Sequence, residues 1–355
     1  MARVQPFHAV RYGELAGPVE RLVAPPYDVL GPAERDRYLA ESPYNVVHLT
    51  LPDDPAEAAA LWRAWLAEAI LVREDEPAAW RLSQDYVGPD GVARTREGMV
   101  CSLRAEPYST GAVLPHERTH AGPKEGRLRL LRAVRAHVEP IFLLHEGELA
   151  LDTAGADPLF DVELEGVRNR LWRLPDGAAL CGSLAGSPLL IADGHHRYET
   201  AVAFHEEDGS EESAWLLAVV VPTRQEGLTI FPTHRLAEGA DPNGAEPLDE
   251  PPLAALEQGV GPVLYRGGRT YLLPAGPGEL DTRLIEPYVR GRVTYTPRAE
   301  EAVAAVDRGE AGAAFLLRPP TIEQVQAVAS RGETMPQKST YFYPKLPSGL
   351  LFHPL

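Results

Sequence analysis

The sequence predicts a mixed α/β fold, because apolar strand segments and amphipathic helical segments alternate along the chain. Short apolar runs predict buried strands at 140–145, 188–192 and 214–221. Apolar residues that recur at helical spacing predict helices at 55–72 and 127–137. Alternation of this kind is typical of a sheet with helices packed against it.

A hairpin and one further strand are predicted in the first half of the chain. The segments 78–87 and 98–108 are predicted to form a hairpin, because Gly88-Pro-Asp-Gly91 between them has the residues of a tight turn. The apolar run 45–51 predicts one more strand.

The length of 355 residues predicts two domains. We expect the first at 1–240 and the second, a small α/β unit, at 241–355. Few periodic apolar residues occur between 238 and 262, and this segment is rich in Pro, Gly, Glu and Ala, which predicts a linker. The polar and aromatic segment 335–343 is expected to return to the cleft of the first domain.

Composition limits the classes of partner. The chain has 34 Lys and Arg against 51 Asp and Glu, and a net charge of −17 repels a phosphodiester backbone, so DNA is not expected as a partner. No apolar run reaches the roughly 18 residues of a membrane span, and no export signal is evident, so we expect a cytoplasmic protein. Cys101 and Cys181 form no disulfide framework or metal motif and are predicted to be buried.

The segment Ile191 to Thr200 carries the strongest chemical signal. An apolar strand ends at Asp193, Gly194 permits a tight turn, and a helix follows. The unbonded N–H groups and the positive dipole end of such a helix attract anions, and the guanidinium of Arg197 adds a charged donor. The first turn consists of His195, His196 and Arg197. The alternative is an ordinary capped helix whose histidines pack in the core.

The string Pro115-His-Glu-Arg-Thr-His120 contains the HExxH pattern of zinc proteases. That pattern requires a continuous helix, whereas Pro115 precedes the string and Gly122-Pro123 follows it. We therefore expect no metal site here but a polar loop that faces a ligand, with a surface loop as the alternative. The ligand-facing residues would be His116, Glu117, Thr119 and Lys124.

Three other polar groups are candidates for the site. Asp28 follows the stiff Pro25-Pro26 pair, which suits either a catalytic carboxylate or a helix cap. His234 and Arg235 end a predicted strand and suit either a site or a structural role. The consecutive polar side chains of Lys338, Ser339 and Thr340 could contact phosphate, although the chain has neither a Walker loop nor a GxGxxG fingerprint.

Seven segments taken together resemble one family, the bacterial and archaeal domain of unknown function 1015 (DUF1015). The segments are Ala24-Pro-Pro-Tyr-Asp-Val29, Tyr44-Asn-Val-Val-His48, Leu114-Pro-His-Glu-Arg-Thr119, Gly122-Pro-Lys-Glu125, Ala192-Asp-Gly-His-His-Arg-Tyr-Glu-Thr-Ala201, Pro232-Thr-His-Arg235 and Met335-Pro-Gln-Lys-Ser-Thr-Tyr-Phe342. The resemblance runs from residue 1 to residue 355.

Through Asp193-Gly-His-His-Arg197 the family is similar to the ParB and sulfiredoxin superfamily, in which a Gly-x-x-Arg turn lies against nucleotide phosphates. The resemblance implies a ParB/sulfiredoxin-like nucleotide-binding core with insertions over 1–240, carrying additional strands. It also implies that Gly194, His195, His196 and Arg197 hold the phosphates.

The superfamily includes a CTP-binding partition protein, an ATP-dependent sulfinic acid reductase and free serine kinases. This chain has histidines where the reductase turn has its cysteine, and it has no evident helix-turn-helix or basic surface for partition. The resemblance therefore favours the kinase branch.

Together these observations predict a nucleotide-dependent phosphotransferase acting on a small, serine-like hydroxyl compound. We expect ATP, ADP or CTP as the nucleotide, with Mg²⁺. The predicted catalytic residues are Asp28, Glu117, Asp193, His195 and His196; the predicted nucleotide-binding residues are Gly194, His195, His196, Arg197, Lys124, Lys338, Ser339 and Thr340; and the predicted substrate-binding residues are Tyr27, His116, Thr119, His234 and Arg235. The alternatives are a non-catalytic nucleotide-binding regulatory protein and a metal-dependent hydrolase.

Overall fold

The computed structural model describes residues 1–117, 121–276 and 278–355 and confirms the mixed α/β class. The strands are β1 (Val4–Gln5), β2 (Val10–Tyr12), β3 (Leu71–Arg73), β4 (Trp80–Val87), β5 (Ala93–Arg104), β6 (Val113–Leu114), β7 (Ala136–His137), β8 (Ile141–His145), β9 (Phe160–Leu164), β10 (Val167–Arg173), β11 (Leu189–Asp193), β12 (Trp215–Pro222), β13 (Thr229–Phe231), β14 (His234–Ala240), β15 (Glu246–Leu248), β16 (Val263–Arg266), β17 (Arg269–Leu272), β18 (Val289–Thr296), β19 (Ala313–Leu316), β20 (Tyr341–Tyr343) and β21 (His353–Pro354).

The α-helices are α1 (Pro32–Glu41), α2 (Val47–Thr50), α3 (Pro55–Ala67), α4 (Ala121–Val134), α5 (Gly177–Ser183), α6 (His195–Asp208), α7 (Pro252–Glu257), α8 (Asp281–Leu284), α9 (Ala299–Asp307) and α10 (Ile322–Ser330). None of the described helices combines the length and the apolar composition that a membrane span requires.

The described residues form two compact units. The first holds residues 1–115, 121–228 and 344–355, and the second holds 116–117, 229–276 and 278–343. The change of unit near Leu228 lies upstream of the boundary expected at 240, and the C-terminal residues 344–355 belong to the first unit.

The first unit is built on a mixed sheet with the strand order β6-β11-β8-β12-β5-β4-β10-β9, in which β1 also pairs with β5. Strands β8 and β12 are parallel, whereas β8 and β11 are antiparallel. The predicted hairpin is confirmed, since β4 and β5 pair antiparallel. The apolar runs of β8, β11 and β12 are buried, as expected for strands covered on both faces.

Helix α6 packs on this sheet directly after β11. Tyr198 and Ala201 lie in the main core with residues of β8, β11 and β12, and Phe204 packs with Leu128 and Leu131 of α4. The junction between β11 and α6 is therefore held on both sides by the core.

Two local predictions were wrong. The segment 45–51 contains helix α2 rather than a strand; the side chain of Asn45, two residues before the helix, accepts a hydrogen bond from the Val47 N–H (3.0 Å), a local turn that competes with strand pairing. The segment 238–262 is not an unstructured linker, because it contains the end of β14, all of β15 and α7. Pro252 occupies the first position of α7, where its missing N–H carries no cost, and Ala255 is buried.

The second unit contains a six-stranded sheet with the order β15-β17-β16-β19-β14-β18 and a separate pair, β13 with β20. Helices α7 and α9 pack on one face through Ala255 and Ala302. Near the C-terminal end of this unit the elements α9, β19 and α10 follow one another as helix, strand and helix.

Two buried histidines of the first unit predict acid sensitivity. His137 on β7 is paired with His353 on β21, with their rings 6.1 Å apart. Burial lowers the pKa of His137 from 6.5 to about 3 and that of His353 to about 4. Below about pH 6.5 these histidines bind protons in the unfolded chain, whereas in the folded chain they stay neutral down to about pH 4. The free energy of unfolding therefore falls between about pH 6.5 and pH 4.

We expect each histidine to contribute a slope of up to about 1.4 kcal/mol per pH unit in that window. Urea unfolding from about pH 7 to about pH 4.5 measures this slope. The variant His353→Gln should have a shallower slope than the wild type, because it removes one of the two buried imidazoles. Equal slopes for His353→Gln and the wild type would contradict the prediction.

Candidate functional site

The junction between β11 and α6 is shaped by a glycine. Gly194 has φ +95° and ψ +26°, a left-handed conformation that favours glycine. A Cβ at this position would lie 3.0 Å from Cγ2 of Ile141 and 3.2 Å from Nε of Arg197. The first hydrogen bond of the helix runs from the Tyr198 N–H to the Gly194 carbonyl (3.0 Å), so the amino end of α6 begins directly after Asp193.

Asp193 is held between two cations. Its Oδ2 lies 2.9 Å from Nη2 of Arg197, and its Oδ1 lies 2.7 Å from Nζ of Lys345. The side chain is 19% exposed. Burial by itself would raise the pKa of Asp193, but Lys345 and Arg197 hold that pKa well below its usual range. Asp193 is therefore ionised at neutral pH.

The guanidinium of Arg197 is fixed by two acceptors. It donates to the carbonyl of Pro140 and to Asp193, and the side chain is 10% exposed. Burial would lower the pKa of Arg197, but the nearby carboxylates of Glu139 and Asp193 raise it overall. Arg197 therefore carries its charge permanently.

Glu139 is a buried carboxylate beside Arg197. It accepts hydrogen bonds from the Tyr27 N–H (2.9 Å) and the Ser348 hydroxyl (3.1 Å), and it lies 3.4 Å from Nη1 of Arg127. Burial raises the pKa of Glu139, although Arg197 and Arg127 oppose that shift. The guanidinium of Arg127 lies over the ring of Tyr27, 3.9 Å from its centroid.

The exposed carboxylate of Asp28 adds a further negative charge, and it interacts electrostatically with Arg197. We call these residues the charged cluster. It consists of Asp28, Arg127, Glu139, Asp193, Arg197 and Lys345.

A further buried cation lies near Asp193. Arg96 is 1% exposed, donates to the carbonyl of Pro344 (2.6 Å) and to the side chain of Gln84, and lies over the ring of Phe142. Burial lowers the pKa of Arg96 to about 9, and Asp193 opposes that shift. Among the described residues no carboxylate forms an ion pair with Arg96, and its Nη1 has no hydrogen-bond partner.

Four cations and three carboxylates therefore share this region of the first unit. Buried charges without a partner are costly, so an excess of positive charge favours an anionic ligand.

Two residues of the predicted polar loop, His116 and Glu117, make their contacts within the second unit, whereas Lys124 lies in helix α4 of the first unit rather than in a loop. His116 is fully buried, its Nε2 lies 2.9 Å from Oγ1 of Thr340, and its carbonyl accepts from the Met335 N–H (2.7 Å). Glu117 Oε1 accepts from the Ser339 N–H (3.2 Å). The structure thus brings the polar residues 116–117 and 335–340 together, while Thr119 lies outside the described residues.

The other candidates of the second unit have mainly structural contacts. Nδ1 of His234 accepts from the Leu317 N–H (3.0 Å), and burial lowers the pKa of His234 to about 4. Arg235 is 5% exposed and donates to the Gln337 carbonyl (3.0 Å). Lys338 is exposed, with φ +55°.

The remaining candidates of the first unit lie on α4 and α6. Lys124 pairs with Glu199 of α6 at 3.5 Å. His195 is buried and interacts electrostatically with Asp193, and His196 is half-buried. The structure therefore groups Tyr27, Asp28, Asp193 and Arg197 in one place, and it adds four residues that sequence reasoning did not assign to the site. The added residues are Arg96, Arg127, Glu139 and Lys345.

Fold and site together define a mixed α/β protein with a cation-rich cluster at a strand-to-helix junction. The chain belongs to the DUF1015 family, described as proteins of unknown function, whose family model matches residues 4–260. This confirms the family that the sequence motifs indicated. No curated protein matches the chain.

Several solved structures have a partial likeness to the chain. A conserved hypothetical protein from Pyrococcus furiosus is 19% identical, with a TM-score of 0.39, over 67% of this chain and 90% of that one. A free serine kinase in complex with AMP is 17% identical, with a TM-score of 0.41, over 67% of this chain and 89% of that one. C-terminally truncated SbnI from Staphylococcus aureus is 11% identical, with a TM-score of 0.38, over 70% and 84%. At these scores the likenesses assign no function or ligand to this chain.

Proposed function

We propose that this protein is a nucleotide-dependent phosphotransferase that binds phosphate groups at the amino end of α6 and transfers one to the hydroxyl of a small molecule. The observation that carries the proposal is the surplus of partly or fully buried positive charge around Asp193. Lys345 and Arg197 both pair with this one carboxylate, and Arg96 lies near it without an ion pair among the described residues.

Phosphate suits this place for two physical reasons. The first N–H groups of a helix have no carbonyl partner within the helix, and the helix dipole is positive there. Lys345 is 18% exposed, so its ammonium can turn from Asp193 to a phosphate oxygen without leaving the site. We propose that Gly194, His195, His196 and Arg197 hold the phosphates in the manner of the ParB/sulfiredoxin-like superfamily.

Phosphoryl transfer needs mainly positioning and charge neutralisation, and the charged cluster offers both. Asp193 is ionised and fixed, and the exposed carboxylate of Asp28 interacts electrostatically with Arg197 on the same cluster. We propose that one of these carboxylates orients the acceptor hydroxyl and accepts its proton. Mg²⁺ usually binds through one or two carboxylates together with substrate phosphates, and the exposed Asp28 fits that role.

The contacts predicted for the second unit stay predictions. They concern Glu117 as a carboxylate of the site, Lys338, Ser339 and Thr340 as phosphate contacts, and His116, His234 and Arg235 as substrate contacts. Thr119, which lies outside the described residues, also stays a predicted substrate contact. Lys124, in the first unit, likewise stays a predicted phosphate contact.

The test is an assay of binding and turnover with the purified chain. The protein is incubated with ATP, ADP or CTP, with Mg²⁺ and with a panel of amino acids and sugars. Phosphorylated products are then detected by mass spectrometry. We expect one nucleotide to be consumed in step with one phosphorylated hydroxyl compound. Saturable nucleotide binding without product would favour the regulatory alternative, and the absence of binding would overturn the proposal.

A metal-dependent hydrolase is a separate alternative. The described part of the chain contains no group of three or more His, Cys, Asp or Glu residues that could hold a metal. Zinc that stays with the protein through purification, measured by elemental analysis, would favour the hydrolase.

A further inference from the structure

A small cavity lies beneath the charged cluster, between α4, α6 and the segment from β7 to β8. Its polar lining consists of Arg127, His137, Glu139, Arg197 and Thr200. The rest of the lining is aliphatic, with leucines of α4 and Ile141 of β8 among its residues. The cavity has a volume of about 40 Å³.

Two buried polar atoms of this lining have no hydrogen-bond partner among the described residues. Thr200 is 2% exposed, and its Oγ1 is without a partner. His137 is 8% exposed; its imidazole bonds to the backbone of Trp215, but its Nε2 is without a partner. Buried polar atoms in native proteins are nearly always hydrogen-bonded, to protein or to ordered water.

We propose that this cavity is a binding site for a short chain of ordered water molecules, held by Oγ1 of Thr200 and Nε2 of His137. A cavity needs at least roughly 10 to 15 Å³ of such volume to hold one water, so 40 Å³ has room for more than one. Ordered water needs two to four polar partners, and the hydroxyl, the imidazole, the Glu139 carboxylate and the guanidinium groups supply them. Nucleotides and other large ligands are excluded by size.

Oγ1 of Thr200 and Nε2 of His137 can each form a hydrogen bond to a water molecule, one at each end of the row of waters. A threonine hydroxyl both donates and accepts. Burial keeps His137 neutral, and because the other ring nitrogen makes the bond to the Trp215 backbone, Nε2 is left as an acceptor. The waters would thus give Thr200 and His137 their missing hydrogen bonds, in a cavity that Arg197 and Glu139 also line.

Replacement of Thr200 by the isosteric valine gives opposite results for a wet and a dry cavity. If water satisfies the hydroxyl, Thr200→Val loses a hydrogen bond and should lower the midpoint of thermal unfolding by about 2 to 4 °C. If the cavity is dry, the same change removes an unsatisfied hydroxyl and should raise the midpoint. Thr200→Ser keeps the hydroxyl and should retain the waters.

Thr50→Val is the matched control. Thr50 is fully buried and its Oγ1 also has no partner among the described residues, but it does not line this cavity. We expect Thr50→Val to leave the midpoint unchanged or raise it. A high-resolution crystal structure of the wild type gives the second measurement, and electron density for water within hydrogen-bond distance of Thr200 and His137 is the expected result. A rise in the midpoint for Thr200→Val, or a cavity empty of water in the crystal, would overturn the inference.

Discussion

Asp193→Asn is expected to lower the rate of phosphoryl transfer at least about 100-fold and the free energy of unfolding by about 3 kcal/mol. Both effects have one cause. The carboxylate is the shared partner of Arg197 and Lys345, and a neutral amide leaves two cations facing each other in a largely buried site. Removal of one partner from a buried ion pair leaves an uncompensated charge, which is far more costly than loss of an exposed pair.

Urea unfolding and the product assay measure the two effects of Asp193→Asn. Asp161→Asn is the matched control, because Asp161 pairs with Arg168 at the surface (2.6 Å), where loss of an ion pair costs about 1 kcal/mol or less. If Asp193→Asn destabilised the protein no more than Asp161→Asn, the charged cluster would not have the energetic role that we assign to it.

Lys345→Met is expected to weaken nucleotide binding about tenfold or more, because it removes a charged donor to phosphate while keeping an unbranched side chain of similar size. The chain has only three lysines, Lys124, Lys338 and Lys345, and only Lys345 is bonded to Asp193. The fold should survive the change, since Arg197 still compensates Asp193. The effect should therefore appear in the dissociation constant and much less in stability.

Calorimetric titration of ADP with Mg²⁺ compares Lys345→Met with the wild type. Arg308→Met serves as the control for loss of a cation, because Arg308 pairs with Glu310 at the surface of the second unit. Lys338→Met shows whether Lys338 or Lys345 contacts the phosphate, since the sequence alone also favours Lys338 as a phosphate contact. Unchanged affinity in Lys345→Met would remove Lys345 from the site.

Residues that follow one another in the chain could be assigned to the site from sequence. Asp193, Gly194 and Arg197 lie within one turn at the end of an apolar run, so the strand, the glycine turn and the helix were predicted together. Lys345 could not be found in this way, because it reaches Asp193 from 152 residues away. Glu139 carried a weak signal, as a charged residue two positions before the apolar strand β8, but nothing local shows that Tyr27 and Ser348 would bind it.

The fold shows the same division between local and distant signals. The buried strands β8, β11 and β12 were predicted because unbroken apolar runs mark strands covered on both faces. Helix α2 was predicted as a strand because the apolar run 45–51 outweighed the tendency of the Asn45 side chain to bond to the backbone nearby. The return of residues 344–355 to the first unit rests on long-range contacts, among them the pairing of β21 with β7 and of Val10 with Phe352, which no periodicity in that short segment indicates.

A crystal structure of the protein with ADP and Mg²⁺ would test the central claim most directly. The account predicts the terminal phosphate of ADP within hydrogen-bond distance of the first backbone N–H groups of α6 and of Nζ of Lys345. Nucleotide bound at another place, with the ion pair between Lys345 and Asp193 unchanged, would contradict it.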